Sequence, residues 1–261
     1  MKKRFWPLFA FLAVLTVTGV LLLRFAPLGT PAGHEISITA GDALITAADK
    51  LALKTEIDSR MVGQTSVNED DRLTKVEELL LEYGCTGNMH LLPDLMGEGV
   101  YLLEKPVAHH IGGVESAKRG GPNVTVFSPA VFYDGYTQEW IVLCGGKWND
   151  TRDLRFAGAV GGRNRFGVTC VGDLETYDSH VPYAAAGLWT ADDEDYGLRS
   201  YTNYRSGGDG AGSFYFLLQD YMVITGIYDR HYVGEQWAGF CRFSPGYENY
   251  EAVLSAYYIC D

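Results

Sequence analysis

Cysteine is scarce and poorly spaced for chemistry. The chain has five (Cys85, Cys144, Cys170, Cys241, Cys260), none before residue 85 and no two forming CxxC. The late first cysteine excludes a lipobox, and the missing CxxC argues against a zinc ribbon or a thioredoxin-like redox site. Five is an odd number, so at least one thiol stays out of any disulfide. Basic residues are also few, 21 against 33 acidic ones in 261 residues. Four of the cations (Lys2, Lys3, Arg4, Arg24) precede the first acid, leaving 17 against 33 in the remainder. A chain so acidic is repelled by phosphate polymers, which disfavours nucleic acid as a partner.

Assembled catalytic signatures are missing too. Gly210-Ala211-Gly212-Ser213 is not GxSxG, and Gly208, Gly210 and Gly212 form GxGxG outside any strand-to-helix setting. Gly145-Gly146-Lys147 lacks the remaining residues of a P-loop, and His34-Glu35 lacks the second His of HExxH. Each of these glycine-rich stretches reads as a turn. No internal repeat of fixed period is present.

Charge is absent altogether from Phe5 to Leu23, directly behind Lys2, Lys3 and Arg4. As a helix this run is ~28 Å long, close to the hydrocarbon thickness of a bilayer. It exceeds the usual apolar region of a cleaved signal, and only Thr30-Pro31-Ala32 offers a cleavage site. The expectation is a single-pass anchor with a cytoplasmic N-terminus and everything after Arg24 on the outer face of the cell membrane.

Four segments follow from the pattern: an anchor over 1–24, a Pro/Gly spacer over 25–40, a helical segment over 41–97 and an antiparallel β-domain over 98–261. Leu44, Ala47, Ala48 and Leu51 give a helical stripe from Asp42 to Asp58. A second helix is capped by Asn68, carries Glu69, Asp70 and Asp71 at its positive end, and stops at Gly84. Its apolar face is Leu73, Val76, Leu80 and Tyr83. The pair could associate with each other, form a stalk, or cover the later sheet.

From Gly99 onward short β-favouring runs alternate with glycine-rich turns. They include Val124–Phe127, Ala130–Tyr133, Glu139–Leu143, Phe166–Val171, Ser213–Leu218, Tyr221–Tyr228, Gln236–Phe243 and Ala252–Ile259. Asp134-Gly135, Gly145-Gly146 and Pro245-Gly246 read as the intervening turns, the last of them as a hairpin. The fold class is therefore mainly β: an antiparallel β-sandwich or barrel preceded by two helices and an N-terminal transmembrane helix. The stretch Val124–Lys147, with Ser-Pro between strands and Tyr136-Thr137-x-x-Trp140, resembles a group of uncharacterised exported proteins of Gram-positive bacteria. Gln219-Asp220 before a strand and the closing Tyr-rich strand fit the same likeness. It implies a secreted or anchored β-sandwich and no particular activity.

Three sets of residues are candidates for chemistry. Cys170, preceded by Thr169, invites comparison with sortase transpeptidases, in which a His about 60 positions earlier and a following Arg complete the site. His109 and His110 lie 61 and 60 positions earlier, but the next Arg is Arg199. A thiol transpeptidase or hydrolase using Cys170 with His109 or His110 is thus the alternative to a non-enzymatic binding module. Asp193 and Asp195, within Asp192–Gly197, supply oxygen ligands of the kind calcium takes; no other cofactor is implied. Trp140, Trp148, Trp189 and Trp237 lie among tyrosines, as in β-faces that bind glycans or peptides by stacking. Tyr228, Arg230, His231 and Tyr232 are the preferred ligand-binding loop, with a cell-surface glycan or protein as partner.

Overall fold

The computed structural model describes residues 36–40, 43–63, 69–103, 108–111, 124–149, 163–172, 184–189, 198–200, 205–208, 213–219, 221–225, 229–233 and 236–260. The chain begins with strands β1 (Ile36–Thr39) and β2 (Ala43–Ile45), then helices α1 (Ala47–Met61) and α2 (Glu69–Thr86). A 3-10 turn (Met89–Leu91), α3 (Leu92–Gly97) and β3 (Val100–Leu102) follow. Then come β4 (Ala108–Ile111), β5 (Val124–Phe127), β6 (Ala130–Asp134), β7 (Glu139–Trp148), β8 (Arg163–Gly172), β9 (Ala184–Trp189) and β10 (Leu198–Ser200). The last strands are β11 (Arg205–Gly208), β12 (Phe214–Gln219), β13 (Tyr221–Thr225), β14 (Asp229–Val233), β15 (Gln236–Phe243) and β16 (Ala252–Cys260).

The strands form two large antiparallel sheets and one hairpin. The outer sheet runs β1-β16-β8-β12-β11, with β2 also on β16. The central sheet runs β10-β9-β15-β7-β5-β4, with β6 joining β7 to β3; β13 and β14 pair with each other. Alternation of side chains builds the interface between the two sheets. Phe166, Val168, Phe214, Phe216, Leu254 and Tyr258 of the outer sheet share one core with Val126, Trp140, Val142, Trp148, Trp237 and Phe243 of the central sheet. Trp237 stacks on Tyr258 across it at 4.2 Å between ring centroids.

The central sheet is buried on its other face as well. Phe132, Ile141, Leu143, Ala238 and Phe240 pack there against Val76, Leu80, Leu81, Tyr83 and Cys85 of α2 and against Leu95 of α3. That is why β5, β6 and β7 carry near-continuous apolar runs instead of strict alternation. The layers are therefore outer sheet, central sheet and helix. Residues His34–Asp261 make one compact unit.

Several local expectations are corrected. Strand β1 lies inside the stretch read as spacer, and β2 inside the one read as helix. Both complete the edge of β16, so the β-fold draws its strands from 36 onward. Helix α1 starts after Thr46, whose hydroxyl accepts from the Asp49 N–H at 3.1 Å, and it runs to Met61. Its buried residues are Lys50 and Ile57, while Leu44 and Leu51 are exposed. Helix α2 continues through Gly84 and ends at Thr86, where Gly87 takes φ +68°. Gly84 is required by close packing instead: a Cβ there would stand 2.7 Å from Ala238 Cβ, and one on Gly145 would stand 2.1 Å from the Gly84 carbonyl oxygen. For the same reason Gly145-Gly146 lies within β7 and makes no turn there. Pro245-Gly246 is not a hairpin turn either, because β15 and β16 belong to different sheets.

The expected transmembrane helix over Phe5–Leu23 lies outside the described residues. Among the described residues no helix is long and apolar enough to cross a membrane.

Candidate functional site

The outer face of the outer sheet is unlike the rest of the molecule. Its positions follow from register. On β16 they are Val253, Ser255, Tyr257 and Ile259, on β8 Arg163, Arg165, Gly167, Thr169 and Val171, and on β12 Tyr215, Leu217 and Gln219. Strand β11 adds Arg205 and Gly207, β1 adds Ser37 and Thr39, and β2 adds Leu44. Among the described strand positions of this face none is an Asp or Glu, although the chain has 33 of them.

Two rows stand out. In one, Tyr257, Gly167, Tyr215 and Gly207 lie side by side on four neighbouring strands. Tyr215 thus has glycine across from it on both sides. The Gly167 floor is fixed, since a Cβ there would meet the Phe214 carbonyl oxygen at 2.1 Å. The two tyrosines are two strand spacings apart, about 9.6 Å between backbones. Both are half-buried, with their faces away from the core that Phe214, Phe216 and Tyr258 fill. Arg165, in the adjoining row, holds its guanidinium 5.9 Å from the Tyr215 ring centroid. In the other row Leu44, Val253 and Val171 are aligned, with Leu44 60% and Val171 71% exposed.

A second cluster closes one end of the sandwich. Lys50 of α1 is wholly buried, and its ammonium donates to the carbonyls of Tyr247 (2.7 Å) and Tyr250 (2.6 Å). It also sits 4.0 Å over the Tyr247 ring. Burial lowers its pKa to about 8, against the opposing pull of Cys170, Glu248 and Glu251. Glu248 accepts from Trp140 Nε1 at 3.1 Å and from the Gly246 N–H at 2.9 Å. These bonds fix the connection from β15 to β16, and α1 with it.

A buried ion cluster ties helix to sheet. Asp134 accepts from both terminal nitrogens of Arg72 at 3.1 Å and from Arg242 at 3.3 Å. Arg242 also reaches Glu139 at 3.2 Å, and the N–H groups of Tyr136 and Thr137 close a turn onto Asp134 at 3.0 and 3.3 Å. The bonds of this cluster all run to internal partners, with Arg72 Nε and Arg242 Nη2 buried beside them without a hydrogen-bond partner among the described residues, so its role is structural. Lys54, Asp58 and Tyr133 form a smaller triangle beside it.

The residues singled out from sequence are dispersed. Cys170 is half-buried on β8, opposite Leu254, with its N–H donating to Ser213 Oγ at 3.0 Å. The charged neighbour that it acts on is Lys50. His109 and His110 lie on β4, an edge strand of the other sheet, across from Val126 and Thr125. Their side chains are outside the described set. Arg230, His231 and Tyr232 are on β14, paired with Ile224, Val223 and Met222 of β13. Tyr228 and the proposed calcium residues Asp193 and Asp195 lie outside the described residues, and among the described residues no cluster suited to a metal occurs. Trp140, Trp148 and Trp237 are core. Sequence reasoning missed Tyr215 and Tyr257. The signal was present in Phe214-Tyr215-Phe216, where a two-residue period puts the hydroxyl-bearing ring opposite two phenylalanines.

No family model, curated protein or solved structure matches the chain.

Proposed function

We propose that this protein is a membrane-tethered extracytoplasmic β-module that binds a cell-surface ligand through the outer face of its outer sheet. The observation that carries the reading is that face, whose described strand positions hold half-buried tyrosines and exposed aliphatics and no acid, in an otherwise acidic chain. An aromatic row and an exposed aliphatic row on one sheet face, with the Ser255–Thr169 pair between them, are the kind of surface that recognition sites use. The uncharged run Phe5–Leu23 behind three cations supports the tether. A tether of this sort holds the module close to the envelope, where a modest affinity suffices because effective concentration is high.

Two measurements test it together. Protease added to intact cells should remove the region after residue 34 while carbonate washing leaves the protein in the membrane fraction. Full-length protein in mild detergent should then co-sediment with envelope fragments, and Tyr215→Ser/Tyr257→Ser should abolish this without changing the far-UV spectrum. Wild-type protein left in the supernatant would overturn the binding role. Release by carbonate would overturn the tether.

A further inference from the structure

We infer that the ligand is an uncharged, β-linked polysaccharide strand, laid across the outer sheet along the Tyr257–Gly167–Tyr215 row. The inference rests on the binding role proposed above and names the chemistry of its ligand.

Platforms come first. Gly167 is buried although its place on the sheet faces outward, and the residues beside it across the ladder are the two half-buried tyrosines. Rings that lean over a strand glycine keep one face on the sheet and turn the other to solvent. A larger residue is barred from the gap, because a Cβ on Gly167 would meet the Phe214 carbonyl oxygen at 2.1 Å. The two rings, about 9.6 Å apart between backbones, suit alternate sugars of an extended pyranose chain. Equatorial β-linkages make such a chain a flat ribbon whose faces are lined by C–H groups, and those stack on tyrosine. An α-linked chain coils and meets one platform at a time.

Hydroxyls come second. The Ser255–Thr169 pair occupies the next outer row, about 6.7 Å along the strands from Tyr257 and Gly167. Thr169 is exposed and Ser255 half-buried. A side-chain hydroxyl both donates and accepts, so it matches the edge hydroxyls of a stacked sugar in either sense.

Charge and place come third. The chain after Arg24 holds 17 basic and 33 acidic residues, which repel an anionic polymer and are indifferent to an uncharged one. The twelve residues from Arg24 to Glu35 extend at most roughly 40 Å and lead into β1, whose Thr39 is opposite Tyr257. With Phe5–Leu23 in the membrane, the face is held in the layer that envelope polysaccharide fills.

The test titrates full-length protein, in a non-glycosidic detergent, with cello-, chito- and malto-oligosaccharides of two rings and of several, by calorimetry. A longer cello- or chito-oligosaccharide should bind at least about tenfold tighter than its disaccharide, because it reaches both tyrosines. Tyr215→Ala and Tyr257→Ala should each weaken binding by about tenfold or more, Tyr215→Phe should keep most of it, and raised salt should leave it unchanged. Envelope fragments stripped of lipid by strong detergent and of protein by protease should still co-sediment the protein. Equal binding of malto-oligosaccharides, salt-dependent binding, or no heat with any oligosaccharide would overturn this ligand and leave the binding role standing. Loss of co-sedimentation after protease or detergent stripping would do the same, in favour of a protein or a lipid partner. Failure to co-sediment with whole envelopes would remove the binding role itself. A ring that merely shields glycine predicts a lower melting temperature for Tyr215→Ala with glycan affinity unchanged, and that result would also overturn the inference.

Discussion

Replacing Asp134 by Ala should be the most destabilising single change at a charged position. Its carboxylate is fully buried and is the shared counter-charge of two guanidinium groups that are themselves almost buried. Arg242 keeps Glu139 when Asp134 is removed, but Arg72 keeps the Glu98 carbonyl at 2.9 Å and the Tyr136 ring at 4.8 Å, neither of them a counter-charge. Stranding a buried cation in this way costs about 3–5 kcal/mol. The Tyr136 and Thr137 N–H groups lose their acceptor at the same time, each bond contributing roughly 1 kcal/mol. Urea unfolding followed by tryptophan fluorescence is a suitable assay, because Trp140, Trp148 and Trp237 are all core. Asp134→Asn keeps the turn and loses only the charge, so it should fall between wild type and Asp134→Ala. Adding Arg72→Met to Asp134→Ala should restore part of the loss, since the stranded cation is then gone. A loss below about 1 kcal/mol for Asp134→Ala, or no rescue by Arg72→Met, would refute the claim that this cluster locks α2 onto the central sheet.

Gly145→Ala should lower stability by about 3 kcal/mol, because its Cβ would drive into the Gly84 carbonyl and part α2 from β7; thermal melts report it. Stability should fall above pH 9. Burial raises the thiols of Cys85, Cys144 and Cys241, the last to about 12, so the unfolded chain releases those protons first. Lys50 works the other way: its folded value of about 8 lies below the ordinary 10.5, so its penalty lifts as pH rises from 8 to 10.5. Three buried thiols outweigh one amine, so stability should decline as pH rises from 9 to 10, read from urea midpoints. Iodoacetamide on the native protein at pH 8 should modify Cys170 well before Cys85, Cys144 and Cys241, as peptide mapping would show, because Cys170 is only half-buried.

The β-runs and the position of α2 were legible because their apolar periods are strong and uninterrupted. What the sequence concealed came from tertiary contact. Lys50 looks like a solvent residue on α1, and only the carbonyls of Tyr247 and Tyr250, 197 and 200 positions away, explain its burial. Arg72 takes a buried place beside the expected Leu73 for the same reason, with Asp134 as its distant partner. Gly145 reads as a turn residue until helix α2 is laid over it. Pro245-Gly246 has the chemistry of a hairpin, yet the chain leaves for the other sheet, because β15 is already paired on both edges by β7 and β9. The candidate face was hidden differently. Each of its residues is ordinary, and the absence of acids at its described positions emerges only when six strands from distant parts of the chain are put in register.

Hydroxyl-radical footprinting of the full-length protein, with and without isolated envelope fragments, tests the central claim most directly. Tyr215 and Tyr257 should lose reactivity on the fragments, while the half-buried Tyr101 and Tyr136, on the central sheet and its turn, keep theirs. Protection confined to Tyr101 and Tyr136, or no protection of Tyr215 and Tyr257, would contradict the assignment of the outer face as the binding surface.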